Sequence, residues 1–483
     1  MNEKINIGHR REQDIAKLRT AHVVADLMSA ILTWITFLIL RWYVYNGHVF
    51  EDGAISFPIF SFYAPLFLYP LFCMIVFYLS GYYVQILSKH MLRELFETFS
   101  STLVITVTSF FIIVIDDPVN DYHQYFTSFY ALLALQFGYT YFFRLVLRAI
   151  KLVLFRRHRF AQPVIIVGRH SNPNVMRLQE DMRHRIYTYD YKGIVAPDQK
   201  TYDSDPDAYL GIIGNFDEIK EKHDVCAAIV AIDEDVDSRE NYRLINLLYP
   251  HDVDIRMVPR AFELQTSNTH IDTLWSSPLV NITEIKMSDS EWCCKRFFDL
   301  VMSALGIIAL SPVLLVCYIL VRLDSPGPGL YLQERIGRKG KKFNIIKFRS
   351  MRTDAETGGT PQLSSPTDAR VTRMGHYLRK YRIDELPQLF NVLKGDMSFV
   401  GPRPEREFFI DQIMQQAPYY CLLYRIRPGI TSWGPIRVGY TDTMEKMIER
   451  LNYDIIYMED MSLRNDMKIL FFTIEVIIKG KGQ

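Results

Sequence analysis

Four long apolar stretches fill the first third of the chain, at residues 21–40, 60–84, 98–115 and 125–143. Each is long enough to cross a bilayer, which takes about 20 residues of helix. Asp26 interrupts the first stretch, and a carboxylate in such a run is expected to face a neighbouring helix. Five Lys or Arg precede the first stretch, at Lys4, Arg10, Arg11, Lys17 and Arg19. Positive charge is sparse in the next loop, returns at Lys89 and Arg93, and gives way to Asp116, Asp117 and Asp121. It then concentrates at Arg144, Arg148, Lys151, Arg156, Arg157 and Arg159. This alternation places both ends of a four-helix bundle on the cytoplasmic side. No short apolar core with a small-residue cleavage site follows the polar start, so a cleaved signal peptide is not expected.

Between residues 161 and 284 the pattern changes. Short β-rich runs at 163–168, 191–196, 227–232 and 254–258 alternate with polar, helix-compatible segments at 174–184 and 238–248. Strands alternating with helices predict a parallel, Rossmann-like α/β domain. Its first strand ends at Gly168, where a dinucleotide fingerprint would begin, but Arg-His-Ser-Asn-Pro follows and the other glycines are missing. A nucleotide sensor and a ligand-free spacer or oligomerisation domain both remain open, and a homodimer is consistent with the second.

A fifth apolar stretch covers residues 300–321. Ser311 and Pro312 sit at its centre, where proline removes a helix hydrogen bond. Lys295 and Arg296 lie on one side and Arg322, Arg335, Arg338 and Lys339 on the other. Basic flanks at both ends favour a re-entrant helix that breaks at Ser311-Pro312 over a fifth span. Organisation into 1–155, 160–285 and 290–483 follows.

Composition narrows the function. Lys plus Arg is 55 and Asp plus Glu is 54, so a net charge of +1 gives no support to a nucleic-acid binder. Aromatics at 13% are too many for a disordered chain. The six cysteines, Cys73, Cys226, Cys293, Cys294, Cys317 and Cys421, form no C-x-x-C and are expected as free thiols.

The chemistry concentrates at Arg382-Ile-Asp-Glu-Leu-Pro-Gln388. Asp384 suits an N-cap, with a helix over 385–393 to follow and Pro387 tolerated in its first turn. Adjacent carboxylates at a helix start can share a divalent metal, one as ligand while the other attacks, and the helix end favours a phosphate. Ordinary capping is the bland alternative. Lys347, Arg349, Arg373, Arg379 and Arg403 surround the pair in sequence, and guanidinium forks grip phosphates. A solvated arginine face is the alternative for any one of them. Carboxylates, metal and arginines suit phosphoryl transfer. They suit glycoside hydrolysis poorly, since adjacent residues do not flank a sugar ring. The last stretch, 452–479, has helical apolar spacing and is expected on the domain or on the membrane.

Several stretches carry a resemblance. They are Lys295-Arg-Phe-Phe-Asp299, Asp324-Ser-Pro-Gly-Pro328, Gln333-Glu-Arg-Ile-Gly337, Lys347-Phe-Arg-Ser-Met351, Asp384-Glu-Leu-Pro-Gln388, Asn391-Val-Leu-Lys-Gly-Asp-Met-Ser398, Val400-Gly-Pro-Arg-Pro404 and Arg427-Pro-Gly-Ile-Thr431. Together they resemble the bacterial sugar transferases, the monotopic polyprenyl-phosphate hexose-1-phosphate transferases. By its layout, the front of the chain looks like the large-architecture branch.

The resemblance implies a bacterial inner-membrane enzyme with cytoplasmic α/β and catalytic domains, which initiates exopolysaccharide, capsule or O-antigen synthesis. Asp384 would attack the β-phosphorus of a UDP-hexose, release UMP and hold the phosphosugar until undecaprenyl phosphate takes it. Glu385, with Asp384, would hold Mg²⁺. Arg379, Arg403, Lys347, Arg349, Arg373 and Arg427 would bind phosphates or substrate. Arg382-Ile383 stands where the family often has Ser-Leu, and Ser432-Trp-Gly-Pro435 where Gly-Trp-Ala-Gln is common. A membrane scaffold or nucleotide-sensing receptor is the non-enzymatic alternative.

Overall fold

The computed structural model describes residues 7–45, 59–87, 89–116, 122–156, 160–184, 189–231, 238–258, 271–272, 279–283, 285–353, 368–439 and 443–478. The chain forms two compact units, Met1–Ala161 with Ser288–Cys294 and Gln162–Met287 with Lys295–Gln483.

The first unit is helical: α1 (Ile7–Tyr45), α2 (Ile59–Leu79), α3 (Met91–Asp116) and α4 (Tyr122–Arg156). Arg11–Leu40, Met91–Ile112 and Phe126–Arg156 are long and apolar enough to cross a membrane, as is Asp289–Asp324 further on. In α2 the apolar helix among the described residues is the shorter Pro65–Leu79. It stops before residue 84 because Gly81 turns the chain at φ +75°. Phe67, Phe96, Phe111, Tyr130 and Phe142 are exposed while Asp26, Thr98, Gln136, Thr140 and Arg144 are buried. Apolar outside and polar inside is the arrangement of a membrane protein. Arg144 bonds both Asp26 oxygens, at 3.0 and 2.8 Å, and Thr98 Oγ1 at 2.8 Å. Asp26 therefore does face a neighbouring helix, and the satisfied pair ties α1, α3 and α4 together.

The second unit opens with a seven-stranded sheet. Its elements are β1 (Gln162–Val167), α5 (Pro173–His184), β2 (Tyr189–Ala196), α6 (Gln199–Ser204), β3 (Tyr209–Ile212), α7 (Phe216–His223) and β4 (Ala227–Val230). Then come α8 (Ser238–Leu248), β5 (Asp254–Met257), β6 (Ile271–Asp272) and β7 (Leu279–Asn281). Strand order is β3-β2-β1-β4-β5-β7-β6. The first five strands are parallel, and β7 and β6 add antiparallel. The central strands are buried on both faces, which is why they read as unbroken apolar runs. Ile232, at the end of one expected run, lies outside the described residues. After Gly168 the backbone is already occupied: the Tyr209 hydroxyl accepts from His170 N at 2.9 Å and Asn172 Oδ1 from Asn174 N at 2.7 Å.

The remainder of the second unit takes up α9 (Asp289–Asp324) from Lys295 onward. It continues with β8 (Leu330–Ile336), β9 (Lys342–Phe348), α10 (Arg373–Lys380), a 3₁₀ turn at Ile383–Glu385, α11 (Gln388–Lys394), β10 (Ser398–Val400) and α12 (Glu407–Gln416). It ends with β11 (Gly429–Thr431), α13 (Trp433–Arg437), α14 (Met444–Glu459) and α15 (Leu463–Ile478). The stretch with helical apolar spacing over 452–479 falls in two helices parted at Asp460–Ser462, and Lys479 lies outside the described residues. Leu248, Tyr249 and Ile255 of the sheet layer share one core with Ile410, Tyr420 and Tyr424.

α9 runs unbroken through Ser311 and Pro312, in place of the expected break. Pro312 has no N–H for the Ile308 carbonyl, and Ser311 Oγ bonds that carbonyl instead at 2.8 Å. Both halves of α9 pack on the same body. Toward its start, Asp299 accepts from Phe399 N at 3.0 Å and Lys295 pairs with Asp466. Toward its end, Cys317 and Val321 pack on Phe348 and Leu378. Between them Leu305, Ile308, Val313, Leu315 and Val316 are exposed.

Candidate active site

Arg382 adopts the left-handed backbone conformation, φ +54°, and starts the tight turn that carries Asp384 and Glu385. The expected helix over 385–393 with Asp384 as its cap does not form. The chain turns tightly around the Ile383 carbonyl instead. Leu386 N takes that carbonyl in a 3₁₀ bond of 3.1 Å, and α11 starts afresh at Gln388. Asp384 is thereby released from capping. Its side chain is half-buried, and among the described residues no donor is hydrogen-bonded to its carboxylate.

Glu385 is buried and surrounded by cations. Its Oε1 lies 3.0 Å from Arg403 Nη2 and 3.4 Å from Lys347 Nζ, and its Oε2 lies 3.6 Å from Arg382 Nη1. Burial pulls this carboxyl upward, but Arg403, Lys347 and Arg382 outweigh it and hold its pKa well below the usual carboxylate range. Asp384 goes the other way. Burial first, then the neighbouring Glu385 charge, raises its pKa against the pull of Lys347, Arg379 and Arg403. Arg403 is held firmly protonated, chiefly by Glu385.

Each cation arrives from a different element. Lys347 projects from β9, which pairs antiparallel with β8. Arg379 sits near the end of α10, its Nε donating to Ser350 Oγ at 2.9 Å. Arg403 lies between two prolines in the loop after β10. Gly429 lets this loop lie against the next strand: a Cβ there would strike the backbone of Gly401, and Gly429 N bonds the Pro402 carbonyl at 2.9 Å. Two motifs far apart in sequence thus become the paired strands β10 and β11.

The structure brings Lys347, Arg379 and Arg403 to the carboxylates and places three other expected residues elsewhere. Arg349 is buried, its guanidinium bonded to the carbonyls of Val321, Ser325 and Pro326 at 3.4, 2.6 and 2.8 Å, so it closes the end of α9. Gly327, at φ +124°, makes room for that guanidinium. Arg427 Nε donates to the Gly395 carbonyl at 2.9 Å and closes the end of α11. Arg373 is exposed at the start of α10. Other motif residues are also clips: Asn391 joins α11 to β9 through Ile346 N at 3.0 Å and the Asn344 carbonyl at 2.8 Å.

Two things were missed. Arg382 is a fourth cation at the pair, and its one signal was being a basic residue beside the carboxylates. Behind Arg403 lies a second ion network. Glu405 pairs with Arg335 at 3.2 Å and with Arg450, and Asp454 accepts from Arg403 N at 3.4 Å. Burial pushes Asp454 up to about 6.

A divalent ion is testable against this donor set. Among the described residues no group of three or more His, Cys, Asp or Glu converges, and the site offers two carboxylates. Mg²⁺ commonly uses one or two carboxylates with substrate phosphates, so the residues fit a Mg²⁺ that arrives with a phosphorylated substrate.

Residues 290–480 match the family model described as bacterial sugar transferase. The chain is 43% identical over 188 residues to a UDP-N-acetylgalactosamine-undecaprenyl-phosphate N-acetylgalactosaminephosphotransferase of Aeromonas hydrophila, covering 39% of this chain and 44% of that one. It is 35% identical over 234 residues to a UDP-glucose:undecaprenyl-phosphate glucose-1-phosphate transferase of Escherichia coli K12, covering 48% and 50%. To a protein of that same description from Caulobacter vibrioides it is 41% identical over 186 residues, covering 38% and 69%. The match thus spans about half the length of the first two relatives. With most of the third relative covered at this identity, the chain belongs to the bacterial sugar transferase family.

Proposed function

We propose that this chain transfers a sugar 1-phosphate, a hexose 1-phosphate in the simplest case, from a UDP-sugar to undecaprenyl phosphate and so initiates a surface polysaccharide. One observation carries the reading. Asp384 is half-exposed and unbonded among the described residues, beside a glutamate whose charge is already neutralised by three cations. A carboxylate so placed is available as a nucleophile.

An Asp384 oxygen forms a bond to the β-phosphorus of the donor. The bond from that phosphorus to the bridging oxygen breaks, and UMP leaves with the electron pair. A phosphate oxygen of undecaprenyl phosphate then attacks the aspartyl phosphosugar, frees the carboxylate and yields the diphosphate-linked sugar. Arg379, Arg403 and Lys347 neutralise the phosphate oxygens in both steps. Asp384 and Glu385 would hold Mg²⁺ together with the donor phosphates, where it supplies further charge neutralisation.

Membrane placement supports the reading. α9 packs on the catalytic body toward both its ends and exposes apolar side chains between them. This supports a helix that bends at Pro312 to enter and leave on one face of the bilayer, beside an acceptor whose phosphate stays at the interface. The basic flanks of the bundle favour the cytoplasmic face of the inner membrane. Parallel order 3-2-1-4-5 supports a Rossmann-like domain, while the occupied loop after Gly168 supports a structural module over a nucleotide sensor.

The test is UMP release by the full-length protein in lipid with Mg²⁺, undecaprenyl phosphate and a panel of UDP-sugars that includes glucose and N-acetylgalactosamine donors. Release with one donor, lost in Asp384→Asn, is the expected result. No release with any donor from folded protein would overturn the reading.

A further inference from the structure

Arg382 is the one cation at the carboxylate pair held in a conformation its residue type disfavours. A non-glycine residue at φ +54° is strained, and Gly or Asn relieves the strain. The turn itself does not require arginine, since its bonds there are made by the backbone: Arg382 N to the Arg379 carbonyl at 3.1 Å, and Glu385 N to the Arg382 carbonyl at 3.2 Å. What arginine adds is its side chain.

That side chain is held loosely. Among the described residues its ion pair, to Glu385 Oε2 at 3.6 Å, is the longest of the three around that carboxylate. Its Nε is buried and has no hydrogen-bond partner among the described residues. An arginine donor left buried without a partner is costly, and the cost is recovered when an acceptor arrives. Charge points to the kind of acceptor. Lys347, Arg379, Arg382 and Arg403 face Asp384 and Glu385, which leaves two net positive charges. The protein side of the site is therefore cationic and suits an anion such as a nucleotide-sugar diphosphate.

We infer that Arg382 is a donor-binding residue: its guanidinium rests on Glu385 in the empty site and swings to a diphosphate oxygen when the nucleotide sugar enters. The inference rests on the proposed transfer from a UDP-sugar and adds a residue to it. Arg403 and Lys347 share the other Glu385 oxygen at shorter range, so Glu385 keeps counter-charges after Arg382 leaves. Arg382 therefore acts on donor affinity, with little effect on the acceptor.

The experiment uses UDP, the donor without its sugar, as the probe. UDP affinity, the donor KM and the KM for undecaprenyl phosphate are measured on the full-length protein in lipid, with Arg382→Asn and Arg382→Lys alongside. Asn accepts the left-handed backbone, so Arg382→Asn is expected to melt at or above the parent temperature. UDP affinity is expected to fall about tenfold or more in Arg382→Asn, the loss of one charge-assisted bond, and to recover in part in Arg382→Lys. The acceptor KM is expected to stay within about twofold. Unchanged UDP affinity in Arg382→Asn would overturn the inference. So would a raised acceptor KM with the donor KM unmoved, which would assign Arg382 to the lipid phosphate. A lowered melting temperature with equal loss in both variants would mark a structural role and also overturn it. If the parent binds UDP but releases UMP from no UDP-sugar, the proposed transfer fails separately.

Discussion

Two carboxylates in the C-terminal region, Glu405 and Asp384, are both crowded by arginines, yet they are treated in opposite ways. Glu405 is buried and paired to Arg335 and Arg450, and the charges of Arg450, Arg335 and Arg403 overcome burial to keep its pKa low. Asp384 is half-buried and unbonded among the described residues, and its pKa is raised. The closed network holds a backbone in place, because Arg335 also bonds the Pro404 carbonyl at 3.2 Å, next to Arg403. The open one leaves a nucleophile available. The physical difference is completeness of pairing: a satisfied buried charge resists change, while an unsatisfied one is poised to react.

The comparison breaks most directly at Asp384. Asp384→Asn is expected to lower UMP release about 10³-fold or more, the size seen when a nucleophile is removed. Its melting temperature is expected to hold or rise. The sign follows from the raised pKa: ionising Asp384 costs the fold stability as pH climbs from the ordinary carboxylate value to the raised one, and a neutral amide avoids that cost. A clear loss of stability would place Asp384 with Glu405 instead.

Arg403→Ala is next, with a fall in kcat of about 10²-fold in the folded protein, a larger effect than its loss of stability, since it removes a phosphate-facing donor. Unchanged turnover in folded protein would take Arg403 out of the site. Glu405→Gln is expected to do the reverse. It strands Arg335 and Arg450 in the interior and costs about 3 kcal/mol of stability, read by denaturant unfolding, while the folded fraction keeps most of its turnover. The smallest effect is electrostatic. Lys347 lowers the Asp384 pKa, so Lys347→Met is expected to move the acid limb of the pH–rate profile upward. A downward move would contradict the charge assignment.

Much of this was legible in the sequence, for physical reasons that differ by region. A run of about 20 apolar residues leaves a chain few choices, so α1, α3 and α4 could be read directly. The central strands were legible because burial on both faces demands uninterrupted apolar residues; β3, β6 and β7 are short and at the sheet's flanks, and carry no such run. At the site, the letters showed that arginines gather around Asp384 and Glu385 but not what each one grips. A guanidinium on three carbonyls, as in Arg349, and one on a carboxylate, as in Arg403, look the same in sequence. The 3₁₀ turn at Ile383–Glu385 carried no local signal, since Pro387 is compatible with the first turn of the expected helix. The Ser311 hydroxyl that bridges the gap at Pro312 was a readable local signal. Arg382 was not readable, because a left-handed arginine is set by the packing around it.

The most direct test of the central claim is to trap the intermediate. The full-length protein in lipid is incubated with Mg²⁺ and its UDP-sugar but no undecaprenyl phosphate, and its intact mass is measured. The account predicts one added phosphosugar per chain, located on the peptide that holds Asp384, absent in Asp384→Asn and discharged when undecaprenyl phosphate is supplied. Product formation with no adduct at any time, and no UMP until the acceptor is added, would show direct attack by the lipid phosphate and contradict Asp384 as nucleophile.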